Sequence, residues 1–191
     1  HFCMITTLTD TEKIREVALD QYGYITTAQA EEEGVTRHSL AALARRNRLE
    51  RVAQGLYRVP QVPEMRYGAF MRAILWTGVP EAALSHETAL DAYGVSDINP
   101  TKIHMTVDKG RRIAKAGGEG YVLHRQKLDP QQRTWWHQIP IVTLPCAIEQ
   151  CIITDVPTYL IRQAIENGRD RRLLTNEIAQ CLEGELDGRY A

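Results

Sequence analysis

The sequence predicts an α+β chain in two parts, and three observations carry that expectation. Residues 9–47 hold three segments of helical period, each with a threonine at its start and a glycine or asparagine at its end. Two short alternating runs, "LERV" and "LYRV", then face each other across "AQG". After Pro60 and Pro63 the character changes. Helical segments interleave with three alternating runs, and two more helical segments end the chain. The first pattern has the order of a winged helix-turn-helix, assigned to residues 1–62. The second, residues 63–191, is a mixed α/β domain with a small sheet flanked by helices.

Each element has a local reason. Thr9-x-x-Glu12 in "TLTDTEKIREVALDQYG" has the spacing of a capping box, in which hydroxyl and carboxylate each satisfy an orphan amide. Ile14, Val17, Ala18 and Tyr22 recur at helical spacing, and Gly23 closes that helix in a left-handed conformation. "YITT" is a short extended piece. Thr26 or Thr27 caps a second, short helix through Glu33, which Gly34 ends. Thr36 caps a third helix over residues 36–46, with Leu40, Leu43 and Ala44 inward and Asn47 as terminator. Gly55 supplies the positive φ that the following hairpin turn requires. Two prolines in "PQVPEM" disfavour both helix and central strand and mark a linker.

Beyond the linker, "RYGAFMRAILWTG" predicts a helix. "PEAALSHETALDAYG" predicts another, starting at its proline or at Ser85 and stopping at Gly94. "KIHMTV", "GYVLHR" and "IPIVTL" alternate as strands. "PCAIEQCII" opens a helix with proline in its first turn, and "PTYLIRQAIENG" and "TNEIAQCLEG" predict the last two helices.

Composition narrows the function. With 191 residues, 43% of them hydrophobic, the chain can bury a sizeable core. A formal charge of −1 argues against a general polyanion binder, so any affinity for nucleic acid must be local. Cys3, Cys146, Cys151 and Cys181 lack metal-ligand spacing and predict free thiols in a reducing cytosol. No apolar run is long enough to span a membrane, and the start "HFCMITTLTD" lacks the pattern of a signal peptide, so a cytoplasmic location is expected.

Positive charge does concentrate in one place. Between Thr36 and Val59, Arg37, Arg45, Arg46, Arg48, Arg51 and Arg58 face a single acid, Glu50. With Leu40, Leu43, Ala44 and Asn47 turned inward, 100° per residue puts His38, Ala42 and Arg45 at the centre of the outer face, with Ala41 and Arg46 beside them. Small residues let a helix approach a major groove while long donors reach base edges and phosphates. Thr36, Arg37 and Ser39 sit at the helix start, where free amides suit a phosphate. The hairpin adds Arg48, Arg51, Gln54, Tyr57 and Arg58, placed to follow the backbone or enter the minor groove. A solvated basic face is the plain alternative for all of these.

The second part offers weaker chemical signals. His86-Glu87 has no second histidine four residues on to complete a zinc-protease pattern. His104 and His124 lie on predicted strands that can bring them together, and hydrogen-bonded structural roles account for both. Asp91, Asp97 and Asp108 with Lys102, Lys109 and Lys115 lack the tight acid-x-lysine core of a nuclease. "KAGGEG" lacks the strand–loop–helix setting of a phosphate loop, and Trp135-Trp136 reads as core or interface. No catalytic residue, cofactor or metal is expected.

Together the two parts resemble the AbiEi antitoxins of type IV toxin–antitoxin, or abortive-infection, systems. The likeness rests on "GYITTAQAEEEGVTRHSLAALARRNRLERVAQGLYRV" in front and on "ALSHETALDAYGVSD", "NPTKIHMTVDKGRR", "YVLHRQKL" and "IPIVTLPCAIEQCI" behind. It implies an N-terminal domain that binds inverted repeats upstream of its own operon and represses it. It also implies a C-terminal domain that counters a nucleotidyltransferase toxin, without a stable complex being the rule. A monomer or weak dimer is expected, since two monomers can fill two half-sites. The run Arg169–Arg172 is an extra duplex contact or a solvated loop. Two further readings stay open: a protein-interaction module that meets the toxin or another protein, and a stand-alone regulator with no toxin.

Overall fold

The structure, a computed structural model, describes residues 8–190. Cys3 and most of the start read for a leader lie outside the described residues. Contacts divide the chain into two compact units. One comprises residues up to Gly78 together with Ala114–Gly117, the other Val79–Ile113 and Gly118 onward.

In the first unit α1 (Asp10–Leu19) opens on Thr9, whose hydroxyl accepts from the Glu12 amide while the Glu12 carboxylate accepts from the Thr9 amide. The chain then runs through β1 (Tyr24–Thr26) into α2 (Thr27–Glu32), where Thr26 and Gln29 repeat the same reciprocal cap. Thr36 caps α3 (Arg37–Arg45), and Asn47 leaves it at φ +55°. β2 (Glu50–Ala53) and β3 (Leu56–Arg58) form the hairpin, with Gly55 at φ +70° in its turn. β1 completes a three-stranded antiparallel sheet in the order β1-β3-β2. Ile14, Ala18, Ile25, Ala30, Val35, Leu40, Leu49, Val59 and Val62 make the core, with Leu43 and Ala44 packed half-buried against it. Each buried leucine or isoleucine there stabilises the fold by about 1.5–3 kcal/mol.

α4 (Gly68–Thr77) packs against β1 within this unit. The sequence boundary at residues 62/63 and the contact boundary after Gly78 therefore differ by the stretch that carries α4. A linker rich in proline says where regular structure pauses, but not which core the next helix joins.

The second unit has a five-stranded mixed sheet in the order β6-β5-β4-β8-β7. Its strands are β4 (Ala83–Leu84), β5 (Ile103–Val107), β6 (Tyr121–Arg125), β7 (Arg133–Trp136) and β8 (Ile139–Val142). α5 (His86–Tyr93) ends at Gly94 and packs on β5 and on α6 (Leu144–Ile152). α7 (Thr158–Asp170) and α8 (Asn176–Asp187) close the chain as an adjacent pair. Two strands add to the three expected. Of the two expected starts for the helix ending at Gly94, the one at Ser85 holds, and residues 83–84 are strand because Leu84 pairs with both Met105 and Ile141. "RTWW" forms an edge strand on β8, and of the two places expected for Trp135, core or interface, its 72% exposure excludes the core.

Candidate nucleic-acid interface

Hydrophobic burial fixes how α3 is turned. Leu40 is fully buried, which leaves Arg37, His38, Ala41 and Arg45 exposed along the opposite side. Ala42, expected at the centre of that face, is half-buried at its margin, so the methyl nearest an approaching groove is that of Ala41. Thr36 and Ser39 are occupied by the cap. The Thr36 hydroxyl accepts from the Ser39 amide at 3.1 Å and lies 3.3 Å from the Ser39 hydroxyl.

Among the described residues, Arg45, Arg46, Arg48 and Arg51 are exposed and none forms an ion pair. Together they form a cationic strip from the end of α3 into β2. Gln54 stands exposed at the hairpin tip, while Tyr57 is half-buried against the core.

Two arginines are placed differently. The Arg37 Nε donates to the Glu31 carboxylate at 2.7 Å, which raises the guanidinium's pKa through that hydrogen bond. Both side chains are solvated, and an exposed pair of this kind is weak enough to open for a competing anion. Arg58 is turned inward on the central strand and donates from Nη2 to the Val62 carbonyl at 2.8 Å. Its Nε is buried without a partner. Arg58 thus ties β3 to the chain that follows instead of extending the outer strip. Arg72 on α4, which sequence reasoning did not single out, braces the hairpin by donating to the Val52 carbonyl at 3.3 Å.

In the second unit His86, His104 and His124 converge. His86 and His124 stack with ring centroids 3.4 Å apart. His104 Nδ1 lies 3.0 Å from His124 Nε2, and His104 Nε2 lies 2.8 Å from the Glu87 carboxylate. His86 Nδ1 reaches the buried Ser85 hydroxyl at 2.9 Å. Burial, then the neighbouring imidazoles His124 and His104, push His86 down to about 3. Burial and His104 push His124 down to about 4. His104 is lowered by burial, against the pull of Glu87. The cluster is therefore neutral near neutral pH, held by one ring-to-ring hydrogen bond, by contacts to Ser85 and Glu87 and by the His86–His124 stack. Among the described residues no group of three or more histidines, cysteines or acids is arranged to hold a metal.

Gln150 organises the floor of this cluster. Its carbonyl accepts from the His86 amide at 3.2 Å, and its Nε2 donates to Thr106 and Gln126. The only sign of it in the sequence is an amide on the buried side of an apolar helix. The Arg169–Arg172 run is largely committed within the unit. Arg169 pairs with Glu183 at 3.2 Å, and Arg171 donates to the Tyr93 and Gly94 carbonyls at 2.9 Å.

Residues 12–60 match the family model described as "Transcriptional regulator, AbiEi antitoxin". This segment is similar to that family. The AbiEi match covers α1 through the hairpin and lies wholly within the first unit. The chain is also similar to the crystal structure of the RV2827C protein from Mycobacterium tuberculosis, with a TM-score of 0.51 and 16% identity. That similarity covers 96% of this chain and 78% of the other, and at such identity it speaks for the fold alone. No curated protein matches the chain. Among the described residues no helix is long and apolar enough to cross a membrane.

Proposed function

We propose that the protein is a DNA-binding antitoxin that represses its own operon, with the winged helix of residues 1–62 reading inverted repeats upstream of the gene. In this reading α3 enters the major groove through His38, Ala41 and Arg45, while Arg46, Arg48, Arg51 and Gln54 follow the phosphates toward the hairpin tip. Residues 63–191 counter a nucleotidyltransferase toxin without a stable complex. The protein works in the cytoplasm as a monomer or weak dimer, and no catalytic step is assigned to it.

The single observation that carries this is the solvated strip of guanidinium groups without ion pairs beside a helix face on which Ala41 is exposed. Four cations held outward without carboxylates of their own gain most from an external polyanion. The AbiEi match over the same segment supports the regulatory setting.

A gel shift with DNA from just upstream of the gene tests it. Arg45→Glu is expected to abolish the shift while circular dichroism stays native, because the residue is exposed and forms no ion pair among the described residues. Unchanged binding by that variant would remove α3 from the interface. Co-expression with the neighbouring gene tests the antitoxin role. Rescue of growth without co-purification is the expected outcome, whereas a stable co-purified complex with no DNA shift would favour a protein-interaction module.

A further inference from the structure

One basic feature of the first unit extends beyond the cationic strip and shares Arg51 with it. A hollow of about 370 Å³ opens between the start of α3 and the hairpin tip, and Arg37, Arg51 and Lys115 line it. Thr27, Gln54 and Tyr57 contribute polar groups, and no carboxylate is in the lining. Lys115 comes from the short stretch Ala114–Gly117 that belongs to this unit although it is remote in sequence. Two hydrogen bonds seat that stretch on α4. The Trp76 indole donates to the Ala116 carbonyl at 3.0 Å, and the Lys115 ammonium donates to the Trp76 carbonyl at 3.1 Å.

An ammonium has three donors, and this bond uses one. Arg37 keeps its pair with Glu31, but Arg51 and Lys115 have no ion-pair partner among the described residues and repel each other across the solvated hollow unless a counter-charge enters. A phosphate suits them, since a guanidinium offers paired donors and an ammonium a compact point charge. Because the same hollow is edged by the first residue of α3 and by Gln54 and Gly55 of the turn, its mouth adjoins the face assigned to the duplex.

We infer that this hollow receives one backbone phosphate of the bound duplex, and that Lys115 is a DNA-anchoring residue supplied from far outside the winged helix. The inference rests on the DNA-binding function proposed above. Such a contact positions the protein without reading sequence, so its loss weakens specific and unrelated duplexes alike.

The test is fluorescence anisotropy of the full chain with its upstream duplex and with an unrelated duplex, over a salt series, for wild type, Lys115→Ala, Lys115→Arg and Arg45→Glu. Lys115→Ala is expected to weaken both duplexes and to make the slope of log K against log salt shallower by about one, with Lys115→Arg retaining the wild-type slope. A Lys115 that only caps the end of α4 would change thermal stability and leave the slope alone, which overturns the inference. Displacement of the duplex by inorganic pyrophosphate from wild type but not from Lys115→Ala supports it, since duplex and free anion then compete for the same hollow. If Arg45→Glu loses binding while Lys115→Ala keeps the slope, the inference alone fails. If wild type binds neither duplex, the proposed function fails with it.

Discussion

Gln150 shows how one side chain can hold a strained neighbour in place. His86 adopts φ +51°, an uncommon value for a residue with a Cβ, while fully enclosed. The Gln150 carbonyl accepts from its amide and so offsets part of that strain. Gln150→Leu is expected to destabilise the second unit by about 1–3 kcal/mol, since the His86 amide would lose its acceptor inside the fold. Urea unfolding followed by tryptophan fluorescence measures this, and an unchanged midpoint would remove Gln150 from that role.

The same cluster sets a pH dependence. His86 titrates at about 3 in the folded chain against an ordinary 6.5, so only the unfolded chain takes up the proton between those values. Stability is thus full above about pH 6.5 and is lost as pH falls toward the folded value. For His86 alone the loss from pH 7 to pH 5 is about 2 kcal/mol. Thermal unfolding across that range should show a falling midpoint, less steep in His86→Gln; a flat profile would mean that the cluster is charged when folded.

At the scale of elements, Gly168 on α7 leaves room for Leu174 and for Leu144 at the start of α6 to pack close against the helix. A Cβ there would stand 2.8 Å from Leu174 Cδ1 and 3.1 Å from Leu144 Cδ2. Glycine to alanine in a helix ordinarily stabilises by about 1 kcal/mol. Pinched from two sides, Gly168→Ala should instead destabilise by about 1–2 kcal/mol, an overpacking effect visible as a lower thermal midpoint. At the third helix the cap is the determinant. Thr36→Ala should lose about 1 kcal/mol, measurable as faster amide exchange over the first turn of α3.

These elements also explain what the sequence could and could not reveal. The caps at Thr9, Thr26 and Thr36 and the turn at Gly55 are local chemistry, so residues a few positions apart dictate them and the sequence displays them. β4 has two residues and exists only because Met105 and Ile141 flank Leu84, which are partners that no local window contains. Arg58 reads like the other arginines, yet strand order places it in the middle of a sheet where Val62 takes its donor. Lys115 carries no local sign at all, since its place is set by the indole of Trp76. Helix periodicity gave the outward turn of α3 to within one position, and the error moved Ala42 to the edge and Ala41 to the middle.

For the molecule as a whole, a chain of net charge −1 that approaches DNA must do so through a restricted patch. The first unit provides one, built by burying Leu40 and leaving four guanidinium groups in solvent. The most direct measurement is the salt dependence of binding to the upstream duplex, comparing wild type with the Arg45→Gln/Arg51→Gln double variant. A linear fall of log K with log salt is predicted, shallower in the double variant by about 1.8 if each arginine neutralises one phosphate. Equal slopes for the two proteins, or binding indifferent to salt, would contradict an interface built on these side chains.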